Sequence, residues 1–285
     1  MAERTILIEQ RCKISYNNRY VVIEKDSGTT ELHFDEFDTI IFETLNISCS
    51  LFLLNKLSSS GKTVIICYEK MLPYSGVFPL YGTQNAYAHL KKQLSWGDAR
   101  KNLIWKQIVE QKIKMQQLAL NYCGIDLKLK EGVLSGDTTN VEGRFANAYF
   151  SNMYGKSFHR HDKDEVNSAL NYGYVILTSS MARIIASHGY ALPLGIHHIS
   201  ENNNFNLACD LVEPFRPIVD VIVKYHYQRA LDAEYKKDLI KALYENVCYG
   251  GKKYSVKNAM EALLIESVRL LNGESERIGE FEFCA

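Results

Sequence analysis

The chain has no run of eighteen apolar residues, no CxxC pair, no HxxxH element and no net charge. Without a long apolar run, no transmembrane helix is expected. The opening MAERTILIEQRCKIS sets charges among its apolar residues instead of forming the apolar core of a signal peptide, so a cytoplasmic location is expected. The seven cysteines (Cys12, Cys49, Cys67, Cys123, Cys209, Cys248 and Cys284) are odd in number and scattered, which excludes a disulfide framework and a zinc ribbon and leaves reduced, mostly buried thiols. With 33 basic and 33 acidic residues, any affinity for nucleic acid must come from local charge. Internal repeats, coiled-coil heptads and low-complexity tracts are also missing.

What is there is a chain of 285 residues, 46% hydrophobic, long enough for a sizeable core. Residues 1–78 read as β structure. TILI, CKISY, YVVIE, ELHF, DTIIF and TVIICY are short β-branched or aromatic runs, separated by turn residues such as Asn17-Asn18 and Asp26-Ser27-Gly28. One helix is expected from Cys49, ending at Gly61. Pro73, Gly76, Pro79 and Gly82 then destroy the periodicity, and a linker leading into a basic segment is placed at 79–96. From 97 to 285 the pattern is helical. Ile104, Ile108, Met115 and Leu118 define one apolar face, Asp164 caps a helix that stops at Gly189, and the last helix closes at Gly273. The expected fold class is α+β, with a small N-terminal β-sandwich-like domain followed by a larger all-α C-terminal domain.

Between Lys91 and Lys114 stand seven basic residues (Lys91, Lys92, Arg100, Lys101, Lys106, Lys112 and Lys114) against Asp98 and Glu110, whereas the end of the chain, GESERIGEFEF, is acidic. The basic segment reads either as an ordinary solvated face or as a phosphate-binding one. Lys91, Lys92, Arg100, Lys101 and Arg216 are the candidate phosphate contacts, on clustering alone.

The chemistry-bearing stretch runs from Leu194 to Asp220, LGIHHISENNNFNLACDLVEPFRPIVD. Asp210 and Glu213 are three apart, so on a helix their carboxylates leave one face about a turn apart. With a histidine and the more distant Glu142 they form an oxygen-rich set with one imidazole, which suits Mg²⁺ or Mn²⁺ better than zinc. Each residue also has a plain structural role. Thr139-Asn-Val-Glu142 fits a capping box, in which the glutamate serves a backbone N–H. Asp210 and Glu213 fit as helix-dipole acids around Pro214, with Arg216 as their ion-pair partner or as a phosphate clamp. His197 and His198, being adjacent, cannot both face one ion from a regular element. A zinc hydrolase built on His197, His198 and Asp210 is disfavoured by the wealth of carboxylates.

Taken in order, VEGRFANAYF, VNSALNYGYVIL, LGIHH and CDLVEPFRP closely resemble the CRISPR-associated protein one family, the spacer-acquisition integrases. The opening RTILIEQRCKISYNNRYVVIEK and the DTIIFE and KMLPYSGVFPL segments resemble the N-terminal β domain and linker of members from type II systems. The resemblance implies a metal site made by Glu142, by His198 of the G-x-x-H element counted from Gly195, and by Glu213, with Asp210 as an accessory ligand or a base behind the ligands. It further implies transfer of a 3′-hydroxyl of a foreign DNA fragment onto the CRISPR repeat, with Mg²⁺ or Mn²⁺ as cofactor. The partners implied are double-stranded DNA, a second copy of the chain joined through the β domain, and the small ferredoxin-like CRISPR-associated protein two. Type II systems add an effector nuclease and a DNA-end-binding ring protein. The reading from another class is a non-catalytic nucleic-acid-binding module whose acid and histidine cluster is structural.

Overall fold

Period-two patterning governs the first part of the chain. In a computed structural model, which describes residues 4–68, 73–77, 85–126 and 132–284, it forms the strands β1 (Thr5–Ile8), β2 (Cys12–Asn17), β3 (Tyr20–Lys25), β4 (Gly28–His33), β5 (Thr39–Phe42) and β6 (Ile47–Cys49). The helix α1 (Leu51–Ser59) and the strands β7 (Thr63–Cys67) and β8 (Pro73–Gly76) follow. One sheet runs β1-β5-β7-β8, parallel across its first three strands; the other runs β4-β3-β2-β6. β5 reads Thr-Ile-Ile-Phe and is buried at every position, as a parallel strand covered on both faces must be. Residues from both sheets and from α1, among them Ile8, Ile14, Val21, Ile40 and Leu53, share one core. The β2–β3 turn lies one residue later than expected, at Asn18-Arg19, where both φ angles are positive (43° and 69°) as a two-residue hairpin of type I′ requires.

Contacts divide the chain into Met1–Gln84 and Asn85–Ala285. Of the linker expected at 79–96, residues 79–84 lie outside the described residues, and Ala86–Leu94 is a helix, α2. The second unit continues with α3 (Asp98–Tyr122), α4 (Val141–Tyr154), α5 (Glu165–Ser187), α6 (Asn206–Val212), a 3₁₀ turn (Glu213–Phe215), α7 (Arg216–Tyr225) and α8 (Ala233–Lys241). Asp164 caps α5 by accepting from Asn167 N. Buried on most of its circumference, α5 is the axis of the unit. Gly173 lets α7 come close, since a methyl group there would stand 2.5 Å from Val219 Cγ1. Among the described residues no helix is long and apolar enough to cross a membrane.

The helical expectation needs one addition. Three short strands, β9 (Asn246–Tyr249), β10 (Lys252–Ser255) and β11 (Phe281–Phe283), form an antiparallel sheet ordered β10-β9-β11 around the last helix, α9 (Val256–Leu271). The acidic end is part of the fold. Phe281 is buried against Phe215, while Glu280 and Glu282 both take the Lys114 ammonium and Glu276 takes Arg100.

Asp220 on α7 ties the bundle together. Its carboxylate accepts from Tyr149 of α4 and Tyr174 of α5, and its carbonyl accepts from Tyr154. Burial pushes this carboxyl up from 3.8 to about 6, against the opposing pull of the two tyrosine hydroxyls. A carboxyl whose value is higher folded than unfolded stabilises most when protonated. Its contribution is therefore full below pH 3.8, declines as pH rises toward about 6 and stays low above that. Asp220→Asn should gain on the parent by up to about 3 kcal/mol between pH 4 and pH 7. Denaturant unfolding of both proteins at the two pH values measures this, and a difference that does not change with pH would show the carboxyl titrating as it does in the unfolded chain.

Candidate active site

α3 is the floor of the site. At 25 residues it is roughly 37 Å long, and its buried stripe includes Ile104, Trp105, Ile108, Lys112, Met115 and Ala119. Leu118, expected on that face, is only half-buried, and Lys112, expected on the basic surface, lies on the apolar stripe instead. Helical spacing puts Lys112 there, four residues after Ile108 and three before Met115.

Glu142 reaches this floor from the first turn of α4. The cap is not the expected Thr139 box. Asn140 accepts from Gly143 N, and Asp137 accepts from Val141 N and Glu142 N. Both caps sit at positive φ, which Asn and Asp tolerate. With the backbone donors satisfied by others, the Glu142 carboxylate is released from capping and accepts from Lys112 Nζ at 2.5 Å.

Glu213 arrives from the other side, on the 3₁₀ turn between α6 and α7, with 2% of its surface exposed. Its Oε2 lies 2.6 Å from Lys112 Nζ and its Oε1 3.1 Å from Arg216 Nη2. Burial would push the Glu213 carboxyl up, but the Arg216 guanidinium and the Lys112 ammonium outweigh it and hold it below the usual carboxylate range. Burial likewise works against the Lys112 charge, and the two glutamates overcome it and keep the ammonium charged. Arg216 therefore takes the ion-pair role, with its guanidinium 5.1 Å from the Tyr174 ring centroid. It is not presented as a free phosphate contact.

His198 is held by Asp210, which is fully buried on α6. Asp210 Oδ2 accepts from the backbone N–H groups of Ile196 and His197, at 2.5 and 3.1 Å. Its Oδ1 faces His198 N at 3.0 Å and His198 Nδ1 at 2.6 Å. Four donors fill this carboxylate, so the accessory-ligand expectation for Asp210 gives way to a positioning role: it folds the Gly195–His198 loop and orients the imidazole. The bond from Asp210 raises the pKa of His198 despite burial, and the Glu213 charge adds to the rise. His197 turns away, its ring stacked on Trp105 with centroids 4.2 Å apart and planes 2° apart. Gln93 of α2, which the sequence reading passed over, locks the loop from behind. Its amide donates to the carbonyls of Ala191 and Leu194 and accepts from Ala191 N.

Glu142 and Glu213 thus already share one cation, and His198 has its Nδ1 tied to a carboxylate, the arrangement that orients a metal-binding imidazole through its Nε2. This donor set fits a hard divalent ion. As placed, no three acid, histidine or cysteine side chains among the described residues close around one point, and the Lys112 ammonium lies between the two glutamates. Of the phosphate candidates, Lys91 and Lys92 are exposed on α2 and Lys101 lines a cavity of about 340 Å³ beside Gly195, whereas Arg100 is engaged by Glu276.

The family model described as CRISPR associated protein Cas1 matches residues 5–239. A CRISPR-associated endonuclease Cas1 of Neisseria meningitidis serogroup C (strain 8013) is 33% identical over 275 residues, covering 93% of this chain and 90% of the relative. A casposase bound to integration product has the same fold, with a TM-score of 0.79 at 19% identity over 97% of this chain and 92% of that one. A Cas6-RT-Cas1–Cas2 complex aligns with a TM-score of 0.73 at 19% identity, covering 100% of this chain and 37% of that one.

The Asp210 clamp depends on Gly195. A methyl group there would lie 2.2 Å from His198 O and 2.9 Å from Asp210 Oδ2, and neither a backbone oxygen nor a fully bonded carboxylate can give way. Gly195→Ala should cost about 1–3 kcal/mol of stability and return the His198 titration, followed by NMR, toward the ordinary histidine value. An unchanged titration would show that the loop is not held in this way.

Proposed function

Because the chain belongs to the CRISPR-associated protein Cas1 family, we propose that it is a metal-dependent DNA integrase and endonuclease of CRISPR adaptation. The observation that carries this is the convergence of Glu142 and Glu213 on one cation, together with an imidazole that Asp210 fixes and that feels the Glu213 charge. In the reaction, a 3′-hydroxyl of a foreign DNA fragment attacks a phosphodiester at the edge of the repeat. A new P–O bond forms, the bond from that phosphorus to the 3′-oxygen of the preceding nucleotide in the attacked strand breaks, releasing a 3′-hydroxyl, and the number of phosphodiesters is unchanged. Glu142, Glu213 and His198 would hold Mg²⁺ or Mn²⁺, which when bound polarises the phosphoryl oxygen and offsets the charge developing on it. Asp210 keeps Nδ1 of His198 protonated, so that Nε2 is the atom presented as ligand or proton acceptor. Arg216 keeps Glu213 ionised and aimed. With water in place of the hydroxyl, the same groups support endonuclease cleavage.

Phosphate contact falls to Lys91, Lys92 and Lys101, which form no ion pair among the described residues, and to Arg100 if it leaves Glu276. Double-stranded DNA and Cas2 are the partners supported by the casposase and Cas1–Cas2 likenesses. A homodimer through the N-terminal unit, the effector nuclease and the ring protein follow from the type II resemblance.

Half-site integration of a fluorescent duplex into a repeat-bearing plasmid tests the reading. Product should require Mn²⁺ or Mg²⁺, vanish with EDTA and fall by about 100-fold or more in Glu142→Ala. Undiminished activity in that variant would favour the non-catalytic binding module. For the DNA contacts, replacing Lys91 and Lys92 together by alanine should flatten the dependence of log K on log[salt] by about 1–2. Unchanged slopes in a binding titration would take α2 out of the DNA path.

A further inference from the structure

We propose that Lys112 is a built-in competitor of the divalent cation, its ammonium neutralising Glu142 and Glu213 until a metal ion displaces it. Lys112 thereby sets how tightly the site takes that ion. The inference rests on the metal-dependent reading above and adds a residue to it.

The geometry is that of a bridging cation and not of a simple ion pair. One ammonium stands 2.5 Å from a carboxylate on α4 and 2.6 Å from a carboxylate on the 3₁₀ turn, so it joins two elements far apart in sequence at a single point. Its stem follows the apolar stripe of α3 and its side chain is 9% exposed, so the head group is largely shielded from bulk water, while the Glu142 carboxylate it meets is partly open. Lys112 donates to Glu142 Oε1, and its ammonium lies about as close to the buried Oε2 of Glu213, so both carboxylates lean on the same charge.

Charge balance makes the two cations exclusive. Two carboxylates face one ammonium and the Arg216 guanidinium, which leaves the cluster neutral. A divalent ion added beside the ammonium would carry the cluster to an excess of two positive charges in a largely buried setting. Arg216 holds the other oxygen of Glu213, so that carboxylate stays in place when the ammonium leaves. The four-carbon lysine stem re-aims its head group without moving the helix, which a planar guanidinium in the same place could not do as readily.

Mn²⁺ titration of the full chain without DNA, read by electron paramagnetic resonance, tests this apart from activity. Lys112→Met keeps an unbranched stem of nearly the same length and removes the charged head group. It should bind Mn²⁺ about ten-fold or more tightly than the parent, melt lower without metal, and gain more in melting temperature from Mn²⁺. Lys112→Arg should bind about three-fold or more weakly, since a bidentate guanidinium is harder to displace from a carboxylate. Binding by Lys112→Met that is equal to or weaker than the parent's overturns the proposal. If that variant does not fold without metal, an arginine variant that binds as tightly as the parent overturns it equally. Parent binding abolished by Glu142→Gln, with no tightening in Lys112→Met, removes only the competitor role. Absence of Mn²⁺ uptake by the parent and by both Lys112 variants removes the metal-dependent reading together with it.

Discussion

Two carboxylates cannot both stay ionised side by side in a largely buried place without a cation between them, and much of the second unit is arranged around that constraint. α3 supplies the ammonium, α4 and the 3₁₀ turn supply the acids, and Arg216 neutralises what the ammonium leaves. Removing one member of such a buried set leaves the others uncompensated, typically at about 3–5 kcal/mol. Replacing the whole set with apolar residues would be close to neutral by the same reasoning, so stability alone does not account for charges placed here. A pair of acids held ionised and close together is of use to a site that takes a multivalent cation.

Asp210 and Glu213 show how a spacing of three divides labour. On an uninterrupted helix the two would share a face. The chain instead leaves α6 for a 3₁₀ turn bearing Pro214, and the two carboxylates take separate tasks. Asp210 is fully used by three backbone N–H groups and one imidazole, so its effect on chemistry passes through His198. Glu213 receives only cations. The orienting acid and the cation-holding acid thus come from one short segment, which fixes the imidazole and the carboxylate relative to each other.

Most of the elements were legible from pattern. The β-branched runs, Asp164 as a cap and Gly273 as a terminator each act within a few residues of themselves, and local signals of that kind survive in a sequence read alone. The features that escaped are long-range. Lys112 counted as one of seven surface bases, although the apolar residues four before and three after it placed it on the buried face. The Thr139 capping box was a correct motif displaced by better caps, because Asp137 and Asn140 reach the same N–H groups from positive φ. β11 was unreadable because a three-residue strand of Phe-Glu-Phe carries no periodicity, and its pairing with Val247 to Tyr249 joins positions more than thirty residues apart.

The same long-range pairing decides where a chain of zero net charge can meet DNA. Lys106, Lys112 and Lys114 of α3 are taken by Glu110, by the two active-site glutamates and by the acidic chain end, and Arg100 is taken by Glu276. What is left of the basic segment is its beginning. Lys91 and Lys92 immediately precede Gln93, whose amide grips the loop leading to His198, and Lys101 lines a cavity together with Gly195 of that loop. The positive charge that internal pairing spares is therefore gathered at the end of the segment tied to the imidazole. A phosphate backbone drawn to these lysines by charge alone would be delivered to the neighbourhood of the candidate catalytic loop, with no excess of basic residues over the molecule as a whole.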